Sequence, residues 1–256
     1  MSAAAAKRLA VPAPAAPPPS IGLVPDAPDA SSEPRPAFHR RVRIQSVDAL
    51  RGLIMIIMAL DHDRDFIHAG AQSFLPEDLT RTSAVLFFTR WVTHICAPVF
   101  MFTAGIGAYL WLRRGHTKQQ LAAFLVTRGV WLLILEVTVV RFAMFFNFNT
   151  DAIILEVIWA LGWCMICLAA LIYLPVLVLA VFSVAVIVLH NLADGIDAAS
   201  LGGWGWLWHF LHQNGPIPIG SHTLLIAYPL VPWVAVMAGG SASVASSSST
   251  WSIDAS

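Results

Sequence analysis

The sequence predicts an all-α protein: a polytopic transmembrane helical bundle of about six spans, preceded by a disordered N-terminal tail. Three observations lead there. Hydrophobic residues make up 57% of the 256 and charged residues only 12%, whereas a soluble domain is nearer half apolar and a quarter charged. Mean hydropathy is +0.71, and apolar stretches long enough to cross hydrocarbon recur along the chain. Ten tryptophans suit a chain that meets two membrane interfaces. The formal net charge is zero, so no bulk attraction to nucleic acid is expected, and three cysteines do not make a disulfide scaffold.

Residues 1–43 come first. They are rich in Ala, Pro and Ser, with nine of the sixteen prolines between Pro12 and Pro36. Such a stretch has little to bury and cannot form a long helix, so a disordered cytoplasmic tail is expected. It lacks the apolar region and cleavage site of a secretory signal. Arg40, Arg41 and Arg43 then lead into a first span at about Val47 to Phe66, uninterrupted only over Leu53 to Leu60. Its ends carry Asp48 and Arg51 on one side and Asp61, His62, Asp63, Arg64 and Asp65 on the other. Further spans are predicted at about Phe87 to Leu112, Val130 to Phe148, Ile153 to Leu174, Pro175 to Leu192 and Thr223 to Gly239. Each is read as a helix, because lipid offers backbone polar groups no partner and the segments do not alternate as barrel strands do.

Only Tyr173, Leu174 and Pro175 separate the fourth and fifth spans, which implies a tight helical hairpin. The stretch Leu201 to Gly220, with Trp204, Trp206 and Trp208, reads as interfacial or re-entrant. The transmembrane domain thus covers 44–240, and the Ser-rich residues 241–256 are expected to be a tail with no packing role. Basic residues cluster before the first span and at Arg113, Arg114, Lys118 and Arg128, and none follows Arg141. The positive-inside rule therefore puts the N-terminus and the Arg113–Arg128 loop in the cytoplasm, with the loop after the first span outside.

Ionisable residues at membrane depth are costly, which makes each a functional hypothesis. The densest group ends the first span. In a continued helix Asp61, Asp65 and His68 fall at i, i+4 and i+7 on one face, His62 lies one position round, and Arg64 is expected either to pair with one of the aspartates or to stay near the interface. A carboxylate beside an imidazole suits general-base work near neutral pH, while a solvated helix cap is the competing reading. Arg90 and His94 are four apart, and Cys96-Ala97-Pro98 follows, so a kink there would line a polar pocket or leave His94 as hydrogen-bonded core. Glu136, Arg141 and Glu156 are expected in structural pairs. Cys164 and Cys167 form a Cys-x-x-Cys pair in an apolar helix with no second pair, so packing is expected and no metal. His190, His209, His212 and His222 lack metalloprotease spacing. The Arg113, Arg114, Lys118 and Arg128 cluster is explained by topology alone, or by contact with the phosphates of a nucleotide-bearing donor.

Two blocks carry a family resemblance. Arg43-Ile44-Gln45-Ser46-Val47-Asp48-Ala49-Leu50-Arg51-Gly52, followed by a span ending Leu60-Asp61-His62, resembles the opening of the heparan-α-glucosaminide N-acetyltransferase family. The block from Arg90-Trp91-Val92-Thr93-His94 through Pro98 to Gly105 is similar to its bacterial branch, and weaker similarity extends to about Gly240. The resemblance implies a bacterial inner-membrane enzyme that takes an acetyl or other acyl group from coenzyme A on the cytoplasmic side. The acceptor, a sugar or glycan, waits on the far side. The family's key histidine matches His62 or His68; with that histidine as the base, the residues themselves put Asp61 or Asp65 beside the imidazole to orient it and Arg64, Arg90 and His94 in the acceptor pocket. Arg113, Arg114, Lys118 and Arg128 would hold the donor. The bilayer and the acceptor are the expected partners, homodimerisation is left open, and nucleic acid is not expected. The family has about ten or eleven spans and its pattern is expected here to stop after Pro232–Met237, which implies a truncated or frame-shifted product. A transporter using the same charges as a relay, or an inactive fragment, is the alternative.

Overall fold

The computed structural model describes residues 45–67, 78–149 and 151–253, apart from the side chains of residues 64–66 and 247–253. The expected N-terminal tail, the side chains of Arg64 and Asp65, and all of His68 therefore lie outside the described residues. What is described is mostly helical. Helix α1 covers Gln45–Ile67, as the first predicted span requires. Arg51 on α1 donates to the Thr103 carbonyl of the third helix, and its guanidinium lies over Gly107, where a Cβ would come within 3.1 Å of it.

The second predicted span is two helices, α2 (Ala84–Thr93) and α3 (Cys96–Arg113). The break at His94–Ile95 has a cause in Pro98, which has no N–H for the residue-94 carbonyl and whose ring would clash with it. The Ser83 hydroxyl starts α2 by accepting from the Leu86 N–H at 3.3 Å. Helix α4 runs Lys118–Leu135 and continues through a π-helical turn, Glu136–Val140, into α5 (Arg141–Phe145). It begins twelve residues before the predicted Val130, because Thr117 and Gln120 form a reciprocal capping box, with bonds of 3.2 and 2.9 Å. Arg128, expected in a loop, is consequently in mid-helix.

A short strand β1 (Ala152–Leu155) precedes α6 (Val157–Leu171), which turns at once into α7 (Val176–Leu189), the predicted hairpin. Helix α7 ends in a 3₁₀ turn, His190–Ala193. A second 3₁₀ segment, Ala198–Trp204, leads to α8 (Gly205–Leu211), then to strands β2 (Gly215–Ile219) and β3 (His222–Ile226) and to α9 (Leu230–Ile253). The all-α expectation is thus corrected by a three-stranded sheet of order β1-β3-β2, with β3 parallel to β1 and antiparallel to β2. Hydropathy does not separate a short apolar strand from the start of a helix, so Ile153–Leu155 and Thr223–Ile226 were absorbed into predicted spans. Parallel pairing, with Ala152 opposite Thr223 and Leu155 opposite Ile226, sets the starts of α6 and α9 side by side.

Among the described residues three helical stretches are long and apolar enough to cross a membrane: Ala84–Arg113, Lys118–Phe145 and Val176–Ala193. Val157–Leu171 and Leu230–Ser246 are apolar but shorter. Helix α9 packs against α3, α6 and α7 and does not stop at residue 240. Ser241, Ala242 and Ala245 are buried, so this part of the expected tail is a packing face. Small side chains let helix backbones meet in lipid, where there is no hydrophobic drive between helices. The closest approach is at Gly105 and Gly240, where added Cβ atoms would stand 1.9 Å from the Met237 carbonyl oxygen and 2.0 Å from that of Phe102.

Candidate active site

At the end of α1 the Asp61 carboxylate meets α2. Arg90 Nη1 lies 2.8 Å from one oxygen and Thr93 Oγ1 lies 2.8 Å from the other. Arg90 and Thr93 are three apart on a helix and so share a face. The Asp61 side chain is only 16% exposed and that of Arg90 30%, which raises the strength of the pairing above that of a surface salt bridge. Thr93 Oγ1 is also 2.9 Å from the Arg90 carbonyl, so its single proton serves two acceptors. Cys96 Sγ lies 3.8 Å from the Ile54 carbonyl and closes α3 onto α1.

Four of the sequence-predicted residues, Asp61, His62, Arg90 and His94, line one cavity of about 520 Å³. His62 is half-buried there. His94 is exposed, and its Nδ1 lies 3.2 Å from the Arg90 carbonyl. A carbonyl only accepts, so Nδ1 is the donor of this contact. The starts of α3, α6 and α9 also border the cavity through Cys96, Val157 and Pro232, and the positive ends of three helix dipoles favour the carboxylates gathered there.

The structure adds residues that sequence reasoning assigned elsewhere or left unplaced. Glu156, immediately before α6, lines the cavity, and its backbone N–H donates to Glu136 Oε1 at 2.6 Å. Glu136 is 2% exposed and its second oxygen has no hydrogen-bond partner among the described residues. Arg141 donates to the Asn147 carbonyl at 3.2 Å, while its Nε has no partner among the described residues. His190, Asp194 and His212 complete another wall, with His212 Nε2 2.8 Å from Asp194 Oδ1. The only sequence signal for that wall was the i, i+4 spacing of His190 and Asp194 at the end of a span. Among the described residues no three His, Cys, Asp or Glu side chains gather to hold a metal ion.

The predicted donor residues are elsewhere. Arg113 ends α3, Arg114 caps it, and Lys118 begins α4, all three exposed on a tight turn. That turn is one helix length from the cavity, about 26 Å along α3. His116 stacks on Trp111 at 3.7 Å between ring centroids, Trp111 stacks on Phe124 at 5.2 Å, and the Arg128 guanidinium lies 5.1 Å above the Phe124 ring.

Apolar helices of crossing length, packed through glycine and pierced at one end by a charged cavity, define a helical membrane protein with a polar site. A family model, heparan-alpha-glucosaminide N-acetyltransferase, catalytic, matches residues 43–252, and the chain belongs to that family of acetyltransferase-type membrane enzymes. The match runs past the Pro232–Met237 block where the resemblance was expected to stop. No curated protein and no solved structure matches the chain.

Proposed function

We propose that the protein is a membrane-embedded acyltransferase that moves an acetyl or other acyl group from coenzyme A to a sugar or related acceptor bound in the Asp61–His62–Arg90–His94 cavity. The observation that carries this reading is the meeting of those four side chains in one cavity of about 520 Å³, within a chain of this family. In the proposal the bundle crosses the membrane six times, through α1, α2–α3, α4–α5, α6, α7 and α9. The turn at Arg113–Lys118 faces the cytoplasm and the cavity opens outside, in the manner of a bacterial inner-membrane protein. The exposed turn supports the donor role of Arg113, Arg114 and Lys118, since clustered cations pair with the phosphates of a nucleotide. Arg128, laid over Phe124, is the fourth cation of the proposed donor site.

In the cavity Arg90 and Thr93 hold the Asp61 carboxylate, and the base that takes a proton from the acceptor as it attacks is His62, which lines the cavity, or His68, which lies outside the described residues. A positioned base contributes about 10²–10⁴-fold. Membranes carrying the chain should transfer radiolabelled acetyl groups from acetyl-CoA to amino-sugar acceptors, and His62→Ala or His68→Ala should lose about that factor. Normal turnover in both variants overturns the assignment of the base to these two histidines. Solute uptake without any cleavage of the thioester favours a transporter instead.

A further inference from the structure

We propose that His212, oriented by Asp194, is a further general base of this cavity and touches the acceptor directly. The inference rests on the acyltransferase reading above and adds a residue to it. His212 lies just past the end of α8, with 7% of its side chain exposed, and its Nε2 stands 2.8 Å from Asp194 Oδ1 on the turn after α7. A carboxylate can only accept, so Nε2 carries a proton, and in the neutral ring Nδ1 is the nitrogen with the lone pair. Nδ1 has no hydrogen-bond partner among the described residues. The ring is held by a tilted contact with Trp208 at 4.8 Å and an edge contact with His190 at 6.4 Å between centroids. Ring orientation, tautomer and an open basic nitrogen are the properties a carboxylate–imidazole pair needs to abstract a proton. Both members of this histidine–carboxylate pair line the cavity with Asp61 and His62.

The step balances as follows. An amino-sugar acceptor arrives as an ammonium with two protons to lose: once the first has gone to His62 or His68, the freed lone pair forms a bond to the carbonyl carbon of the acyl thioester and the second proton passes to His212 Nδ1. The C–S bond then breaks, its electron pair leaves on sulfur, and the imidazolium returns the proton to the thiolate. Asp194 keeps its charge and stabilises the imidazolium.

The test uses the full chain in membranes with acetyl-CoA and an amino-sugar acceptor. Asp194→Asn conserves the shape of a side chain that is 64% exposed, but its amide can donate to Nε2 and force the proton onto Nδ1. It should lower kcat by about 10²-fold or more with KM little changed. His212→Gly should lose a similar factor and regain turnover when free imidazole is added, which a residue with only a packing role would not do. Wild-type kcat in Asp194→Asn, or loss in His212→Gly that imidazole does not rescue, overturns the role of His212 while leaving acyl transfer standing. A wild-type chain that cleaves no acyl thioester overturns both readings together.

Discussion

Asp61 is held from two sides by α2 in the cavity, and Arg90 and Thr93 contribute unequally to that hold. Arg90 supplies a charge and Thr93 a neutral hydroxyl, each at 2.8 Å. With only 16% of the Asp61 side chain exposed, water replaces little of what a lost guanidinium supplied. Removing one partner of such a pair costs more than the pair is worth, because the other charge is stranded. Arg90→Ala should therefore lower stability by about 1–3 kcal/mol, and Thr93→Val by about 1 kcal/mol. Asp61→Asn combined with Arg90→Ala should recover part of the loss. Thermal unfolding of the purified protein in detergent measures all three, and an unchanged midpoint in Arg90→Ala would show that the pair carries no structural weight.

At the scale of elements, α9 organises the bundle through small residues. Its face of Ala235, Ala238, Ser241, Ala242 and Ala245 is buried, and Gly240 brings it into backbone contact with α3. Ending the chain after Gly240 should then strip packing from α3 and α7, lowering the unfolding temperature and the amount of protein recovered from membranes. A free tail would tolerate the same cut. The Ser- and Ala-rich composition of 241–253 hid this role, since the residues that look solvated in a soluble chain are those that let helices meet in lipid. Elsewhere the sequence was more legible. The spacing of Arg90 and His94 and the break ahead of Pro98 follow from helical periodicity and from the missing proline N–H, and the structure has both. The His190–Asp194–His212 wall was not legible. Asp194 and His212 are 18 residues apart, and the polypeptide between them passes through a 3₁₀ segment and α8. Residue 212 returns to the cavity because β2, which starts three residues later, pairs with β3, and β3 pairs with β1 at the entrance to α6. No local pattern encodes such a return, which depends on the pairing of two distant apolar segments.

At the scale of the whole molecule, charge is divided between two ends. Arg113, Arg114 and Lys118 stand on the turn at the far end of α3, while Asp61, Glu156 and Asp194 gather at the cavity. No Lys or Arg follows Arg141. Positive charge in short loops resists translocation and acidic charge does so little, so the division predicts one orientation, with the turn in the cytoplasm and the cavity outside. The native thiols leave room for a direct test. Cys96 and Cys164 are buried and Cys167 is half-buried in α6, so an impermeant maleimide should react first with a cysteine placed on an exposed turn. Gln119→Cys sits beside the basic turn and Ser221→Cys in the β2–β3 turn, and both positions are exposed. In intact cells Ser221→Cys should be labelled within minutes, whereas Gln119→Cys should react only after the membrane is opened. The reverse pattern would place the cavity in the cytoplasm, and the acceptor would then have to be a cytosolic molecule. Labelling of both from outside would mean that the two turns share one side, so α3 would not cross the membrane and donor and acceptor would need no transmembrane transfer.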